Sequence, residues 1–309
     1  MAAGPIRFQT ALLLVALAAL YFAAAQLGLT LAFVAPQVTV VWPPTGIALA
    51  ALILFGLRTW PAVWIGALLA NATVAPLPVA AGIATGNTLE ALAGAWLLSR
   101  FGFRPSLERM RDVSILLGAG AIASTMISAT IGVTSLCIGG VQPWSAFARL
   151  WIGWWLGDAM SVLVVAPLLL VWSTWPPRQW SRKRIGEGFA LLAGLVAALW
   201  SIFALHAVSD QSHPLAYLLF PFVIAAALRF GQPATTATSA VASIGAIWGT
   251  AAGAGPFGGG DIAQGVVQAQ LFLAVTAVTG LILASAMGER ALGDRFRAAD
   301  YAATQALAE

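Results

Sequence analysis

The chain is a succession of apolar runs, most of them near the ~20 residues that a membrane-crossing helix needs, separated by short arginine clusters. That pattern leaves few folds open. In lipid each backbone polar group must be satisfied within its own segment, so the runs read as helices and the chain as a polytopic bundle. Composition agrees, with 60% hydrophobic and 8% charged residues, against about a quarter charged in a soluble domain. The expected fold is all-α, a transmembrane helical bundle. Its candidate spans, about ten in number, cover roughly 8–31, 42–57, 60–77, 79–99, 112–135, 150–172, 187–208, 214–230, 233–253 and 263–287. Pro43 and Pro44 open the second, where a helix start tolerates proline. Pro221 interrupts the eighth and predicts a kink.

The net charge of +4 does not point to nucleic acid, because the basic residues sit between the apolar runs, where they encode topology. With the N-terminus inside, Arg7, Arg58, Arg100, Arg104, Arg109, Arg111, Arg178, Arg182, Lys183, Arg184, Arg229, Arg290, Arg295 and Arg297 all fall on the inner side, and Arg149 falls outside. Both termini are therefore expected in the cytoplasm. Arg7, an apolar core and Ala23-Ala24-Ala25 also fit a cleaved signal peptide. The run continues through Leu31, longer than a usual signal core, which favours a retained helix. The outer loops, Phe33–Trp42, Cys137–Leu150, Ser209–Pro214 and Gly253–Gln264, are too short for an extracytoplasmic sensor fold. A ligand must then be recognised within the membrane region or at its rim.

Two hairpins echo each other. Leu54-Phe55-Gly56 precedes Trp60-Pro61, and Arg229-Phe230-Gly231 precedes Pro233-Ala234, each a tight turn on the inner side. After the last run the composition changes. Residues 1–287 are read as the integral-membrane domain and 288–309 as the start of a cytoplasmic helix. Leu292, Phe296, Ala299, Ala303 and Ala306 step by four and three, as a heptad seam does. They are the expected signal-transmitting face, with a homodimer through this helix as a partner expectation beside the lipid bilayer. A solvated amphipathic tail fits the same residues.

The segment Trp151–Ser161 carries an acid inside an apolar run. Trp151, Trp154, Trp155 and Asp158 share one helical face, while Gly153, Gly157 and Ser161 form a small-residue seam beside it. A second acid, Glu90, steps by four with Gly82, Gly86 and Gly94. Both acids fall ~12–15 Å from a span end, near mid-depth. No lysine or arginine lies within a span, and an unpaired carboxylate in hydrocarbon costs several kcal/mol. Four readings stay open: neutral structural carboxyls, hydrogen-bond donors pinning helices, holders of a cation or amine (the tryptophans adding cation–π contact), and proton-exchanging groups. Asn71, Asn87, Thr88, Ser124, Thr125, Ser128 and the glutamines of the last span can line a polar cavity for a small ligand. His206 and His213 are placed at or outside the outer rim. With Cys137 as the one cysteine and two histidines, neither a disulfide nor a usual zinc site is expected. No HExxH, GxSxG or phosphate loop is present. No catalytic residue, metal or cofactor is assigned.

Val41-Trp42-Pro43-Pro44-Thr45-Gly46, Trp60-Pro61-Ala62-Val63-Trp64-Ile65-Gly66 with Asn71, Gly86-Asn87-Thr88-Leu89-Glu90, Trp154-Trp155-Leu156-Gly157-Asp158 with Ala166-Pro167, and Ala227-Leu228-Arg229-Phe230-Gly231 stand in the order of one family. Together they resemble the first type of bacterial membrane-associated sensor domain (MASE). The resemblance implies a multi-pass inner-membrane input domain preceding histidine kinases, diguanylate cyclases and related outputs. No such catalytic module lies within these residues. It supplies a sensory role without a ligand. Glu90, Asp158, Asn87, Trp155, Trp154, Asn71 and Thr45 are the ligand-binding or proton-sensing candidates. The rival reading is a transporter with acids at a midplane site.

Overall fold

A computed structural model describes residues 5–30, 32–35, 38–174, 181–203, 213–258 and 262–308. They form a helical bundle. Helix α1 (Pro5–Leu29) leads into a short antiparallel hairpin, β1 (Ala32–Ala35) with β2 (Val38–Thr39), and then into α2 (Pro43–Phe55), α3 (Trp60–Asn71) and α4 (Leu77–Arg100). Helix α5 (Met110–Ile115) runs through a π-helical stretch, Leu116–Ser124, into α6 (Thr125–Ile138). Next come α7 (Phe147–Thr174) and α8 (Arg182–Phe203). A 3-10 turn, His213–Leu219, starts α9 (Phe220–Phe230), followed by α10 (Gln232–Ala251) and α11 (Ile262–Ala308).

Each expected span window holds a helix, but the helices are unequal. Gln9–Leu29, Met110–Ile138, Trp144–Thr174, Arg182–Phe203 and Gln264–Ala291 are long and apolar enough to cross a membrane. Helix α4 is long enough at 24 residues, but Asn87, Thr88 and Glu90 interrupt its apolar run. Helices α2, α3 and α9 have 13, 12 and 11 residues. At 1.5 Å per residue they reach ~20 Å or less, short of the ~30 Å hydrocarbon layer. Pro221 does not kink a span as expected. It stands in the first turn of α9, where its missing N–H costs nothing. His206 falls outside the described residues.

Helix α7 is the centre, with 67% of its most apolar window buried, while α1 and α8 are peripheral at 17% each. The two hairpins match in backbone as well as sequence. Gly56 (φ 90°) and Gly231 (φ 77°) both turn in the left-handed region that glycine enters without penalty. The predicted small-residue seams also serve as packing surfaces. A Cβ at Gly46 would stand 2.6 Å from the Ser161 carbonyl oxygen, and one at Gly94 would stand 2.9 Å from Ser124 Oγ. Thus α2 docks on α7, and α4 on the π segment and α6. Cys137 is buried at the end of α6, in one apolar cluster with Val79, Leu136 and Trp154.

At the arginine-rich end a clasp ties the α4–α5 loop to α11. Leu107 is the one non-glycine residue with positive φ among those described (52°), and it is fully buried. Its carbonyl accepts Gln232 Nε2 at 2.6 Å and Ser285 Oγ at 2.9 Å. Gln232 Nε2 also reaches the Leu281 carbonyl and Ser285 Oγ. Glu289 accepts the Met110 N–H at 3.0 Å, which satisfies a free donor at the start of α5. Helix α11 then continues unbroken to Ala308.

Candidate functional site

The site forms where α1, α2, α4, α6 and α7 meet. Trp154 and Asp158 are one turn apart on α7 and both face inward, 6% and 1% exposed. Gly132 of α6 makes the room. A Cβ there would lie 2.8 Å from the Trp154 ring. The indole N–H donates to Ser128 Oγ at 3.1 Å, Ser128 donates to Asn87 Oδ1 at 2.8 Å, and Asn87 Nδ2 donates to the Tyr21 hydroxyl at 2.9 Å. One chain of bonds thus crosses from α7 through α6 and α4 to α1.

Helix α2 brings its N-terminus to α7. The Trp42 N–H donates to the Gly157 carbonyl at 3.1 Å, and the Gly46 N–H donates to Ser161 Oγ at 2.9 Å. Ser161 in turn donates to the Pro43 carbonyl at 3.2 Å. Thr45 Oγ1 donates to Asp158 Oδ1 at 2.8 Å. The carboxyl therefore stands against the positive end of a short helix.

Glu90 is 2% exposed and lies on the glycine-stepped face of α4. Ser128 stands beside both carboxyls, and Tyr21 lies within electrostatic reach of both. Glu90 Oε1, Glu90 Oε2 and Asp158 Oδ2 have no hydrogen-bond partner among the described residues. The ion pairs found among those residues are Arg109–Asp112, Arg229–Glu187 and Arg297–Asp294, and none reaches this site. Buried acceptor oxygens without donors are costly. What they can do chemically is bind a proton, a cation or an amine. No nucleophile–base pair is present among these groups.

The structure brings together Glu90, Asp158, Asn87, Trp154 and Thr45. It does not bring in Trp155 or Asn71. Trp151 and Trp155 stack on each other at 5.8 Å, and Trp155 donates to the Ile122 carbonyl of the π segment at 3.1 Å. The expected single face therefore divides into two stripes, Trp154 with Asp158 and Trp151 with Trp155. Asn71 is buried at the end of α3, bonded to the Ala67 carbonyl at 2.8 Å. Leu292, Phe296 and Ala299 fall within α11, and their side chains lie outside what is described. Tyr21 joins the site without a motif to mark it, its one sequence signal being that it is the one tyrosine in the first apolar run. Ser128 is one polar residue among several in its span, and only the packing of α4 and α7 on α6 makes it central.

This polar convergence occupies the positions of the motif blocks, and the family profile of MASE1 matches residues 12–291. The chain belongs to the MASE1 family. MASE1 domains are membrane-associated sensory input domains rather than catalytic modules, and two-component and cyclic-di-GMP signalling are typical settings for them. No curated protein and no solved structure matches this MASE1 chain. The profile ends at 291, so α11 is matched only up to Ala291.

Proposed function

We propose that this MASE1 chain detects a small ligand or membrane-derived signal at the Glu90–Asp158 site and passes it through α11 to a cytoplasmic kinase or cyclase module. In this reading it is a multi-pass protein of the bacterial inner membrane with both termini in the cytoplasm. The carrying observation is the set of unsatisfied carboxyl oxygens at a point where α1, α2, α4, α6 and α7 meet. A site that gains a proton or cation there gains interactions in one helix arrangement over another, which is what a shift between states requires. Helix α4 carries Glu90 and ends in the loop whose Leu107 carbonyl is bonded to α11, which supports a physical route from site to output. Residues 288–309 are the outgoing linker, and Leu292, Phe296 and Ala299 are its pairing face in a homodimer.

Replacing Glu90 by Gln and Asp158 by Asn in the full-length protein tests this, with output activity followed across stimuli and pH. The expected result is an output locked at one level while the protein remains folded in the membrane. Output that responds as in the parent would remove both acids from sensing. The transporter reading draws support from one observation, the short α2 whose N-terminus meets Asp158. Proteoliposome flux separates the two. Accumulation of a cation or amine that stops with Asp158→Asn, with no change in output, favours transport.

A further inference from the structure

Outside the acid site, the arginine-rich end holds two adjoining hollows. The first is an apolar groove of about 400 Å³ between α7, α8, α9 and α10, walled by Trp172, Ile185, Phe189, Leu192, Phe230 and Val241. It opens to the side. Phe189 is 69% exposed, and Trp172, Ile185 and Leu192 are exposed as well. On a bundle in a bilayer, that opening faces acyl chains. The second hollow, about 470 Å³, shares Phe230 and Pro233 with the first. It is the more polar of the two, lined by Arg184, Arg229, Ser106, Thr174 and Glu108 and by the start of α10. Arg184 lies over the Phe230 ring at 5.8 Å and donates to the Arg229 carbonyl at 2.9 Å. Arg229 pairs with Glu187 at 2.8 Å.

The lining carries Arg184 and Arg229 against Glu108, with Glu187 paired to Arg229. The first turn of α8 adds Arg182 and Lys183 beside Arg184, which makes the α8 edge of the mouth basic. An apolar slot joined to a basic mouth has the two-part chemistry of an anionic amphiphile. The slot follows α8 from Ile185 to Leu192, ~10 Å along the helix, which suits a stretch of acyl chain. Basic residues just inside the membrane attract anionic headgroups.

We propose that this pair of hollows is a binding site for an anionic phospholipid of the inner leaflet, with an acyl chain in the Phe189–Val241 groove and its phosphate at Arg184 and Arg229. Ala284, Met287, Gly288 and Ala291 of α11 line the same mouth. Headgroup occupancy therefore bears directly on the helix that leaves the bundle. This site is separate from Glu90 and Asp158 and does not depend on what they bind.

Native mass spectrometry on the full purified chain tests the assignment. The chain is offered phosphatidylglycerol and phosphatidylethanolamine with the same acyl chains, and inorganic phosphate in a third arm. Preferential retention of phosphatidylglycerol is expected, weakened about fivefold in Arg184→Gln. Ala237→Phe, which fills the groove wall without touching a charge, should also weaken retention. It covers the case in which the arginine variant fails to fold. Equal retention of both lipids, or undiminished retention in a folded Ala237→Phe protein, overturns the proposal. So does retention of inorganic phosphate equal to that of lipid, which would assign the mouth to a soluble anion.

Discussion

Glu90, Asp112 and Asp158 are the fully buried acids among the described residues, yet they live in opposite circumstances. Asp112 sits at the start of α5 and is saturated. It accepts Arg109 Nε at 2.7 Å, Arg109 Nη2 at 2.6 Å and the Arg104 N–H at 2.9 Å. The bonds to Asp112 also hold the Arg109 guanidinium above the ordinary arginine range. Glu90 and Asp158 leave most of their oxygens without donors. The first is how a buried acid looks when its task is to fix a loop. The second leaves buried acceptor oxygens open, which is what the proposed binding of a proton or cation requires. Burial alone separates nothing here, because all of these side chains are at most 2% exposed. The partners make the difference.

That contrast breaks if the acids respond alike to substitution. Asp112→Ala should be the most damaging change, costing about 3 kcal/mol, because it removes the acceptor of the Arg104 N–H and of two Arg109 bonds and releases the loop. A fall in melting temperature of the detergent-solubilised protein checks it. Gly46→Val should come next, at about 1–3 kcal/mol, since its new side chain meets the Ser161 and Ala166 backbone of α7. The same melting measurement reports it, together with loss of any Asp158-dependent signal. Ser285→Ala should cost about 1 kcal/mol, one of the two bonds to the Leu107 carbonyl. Its sharper mark is uncoupling. The full-length protein should keep ligand or proton binding and lose the output change. Glu90→Gln should change stability by less than about 1 kcal/mol, because no bond among the described residues is lost. Thermal stability near the parent's, beside a silenced output, would set it apart from Asp112.

The helical class and the position of nearly every helix were legible because lipid forces long apolar runs into helices and glycine at Gly56 and Gly231 marks the turns. Glu90 and Asp158 stood out because acids within apolar runs are costly. Asp112 did not, because it stands at the edge of its expected span, next to an arginine cluster, where an acid is ordinary. The clasp was invisible. It depends on a left-handed Leu107, which nothing in its side chain announces, and on Gln232 and Ser285 meeting it across more than a hundred residues of chain. The division of the tryptophan face was equally hidden. A helical wheel places Trp151, Trp154, Trp155 and Asp158 within one arc, and only the packing of α6 decides which part of that arc is enclosed.

The smallest expected effect tests that division. Trp155→Phe removes a bond to the Ile122 carbonyl at a partly exposed position and should alter stability by about 0.5 kcal/mol or less. Trp154→Phe is the same chemical change one residue away. It deprives Ser128 of its indole donor and leaves space beside Gly132, so it should cost about 1–2 kcal/mol. The decisive measurement is the response of the full-length protein to its stimulus. Trp154→Phe should shift the stimulus midpoint because Ser128 stands beside both acids, and Trp155→Phe should leave it where it was. Equal shifts would place Trp155 back in the site and restore the single aromatic face that the sequence suggests.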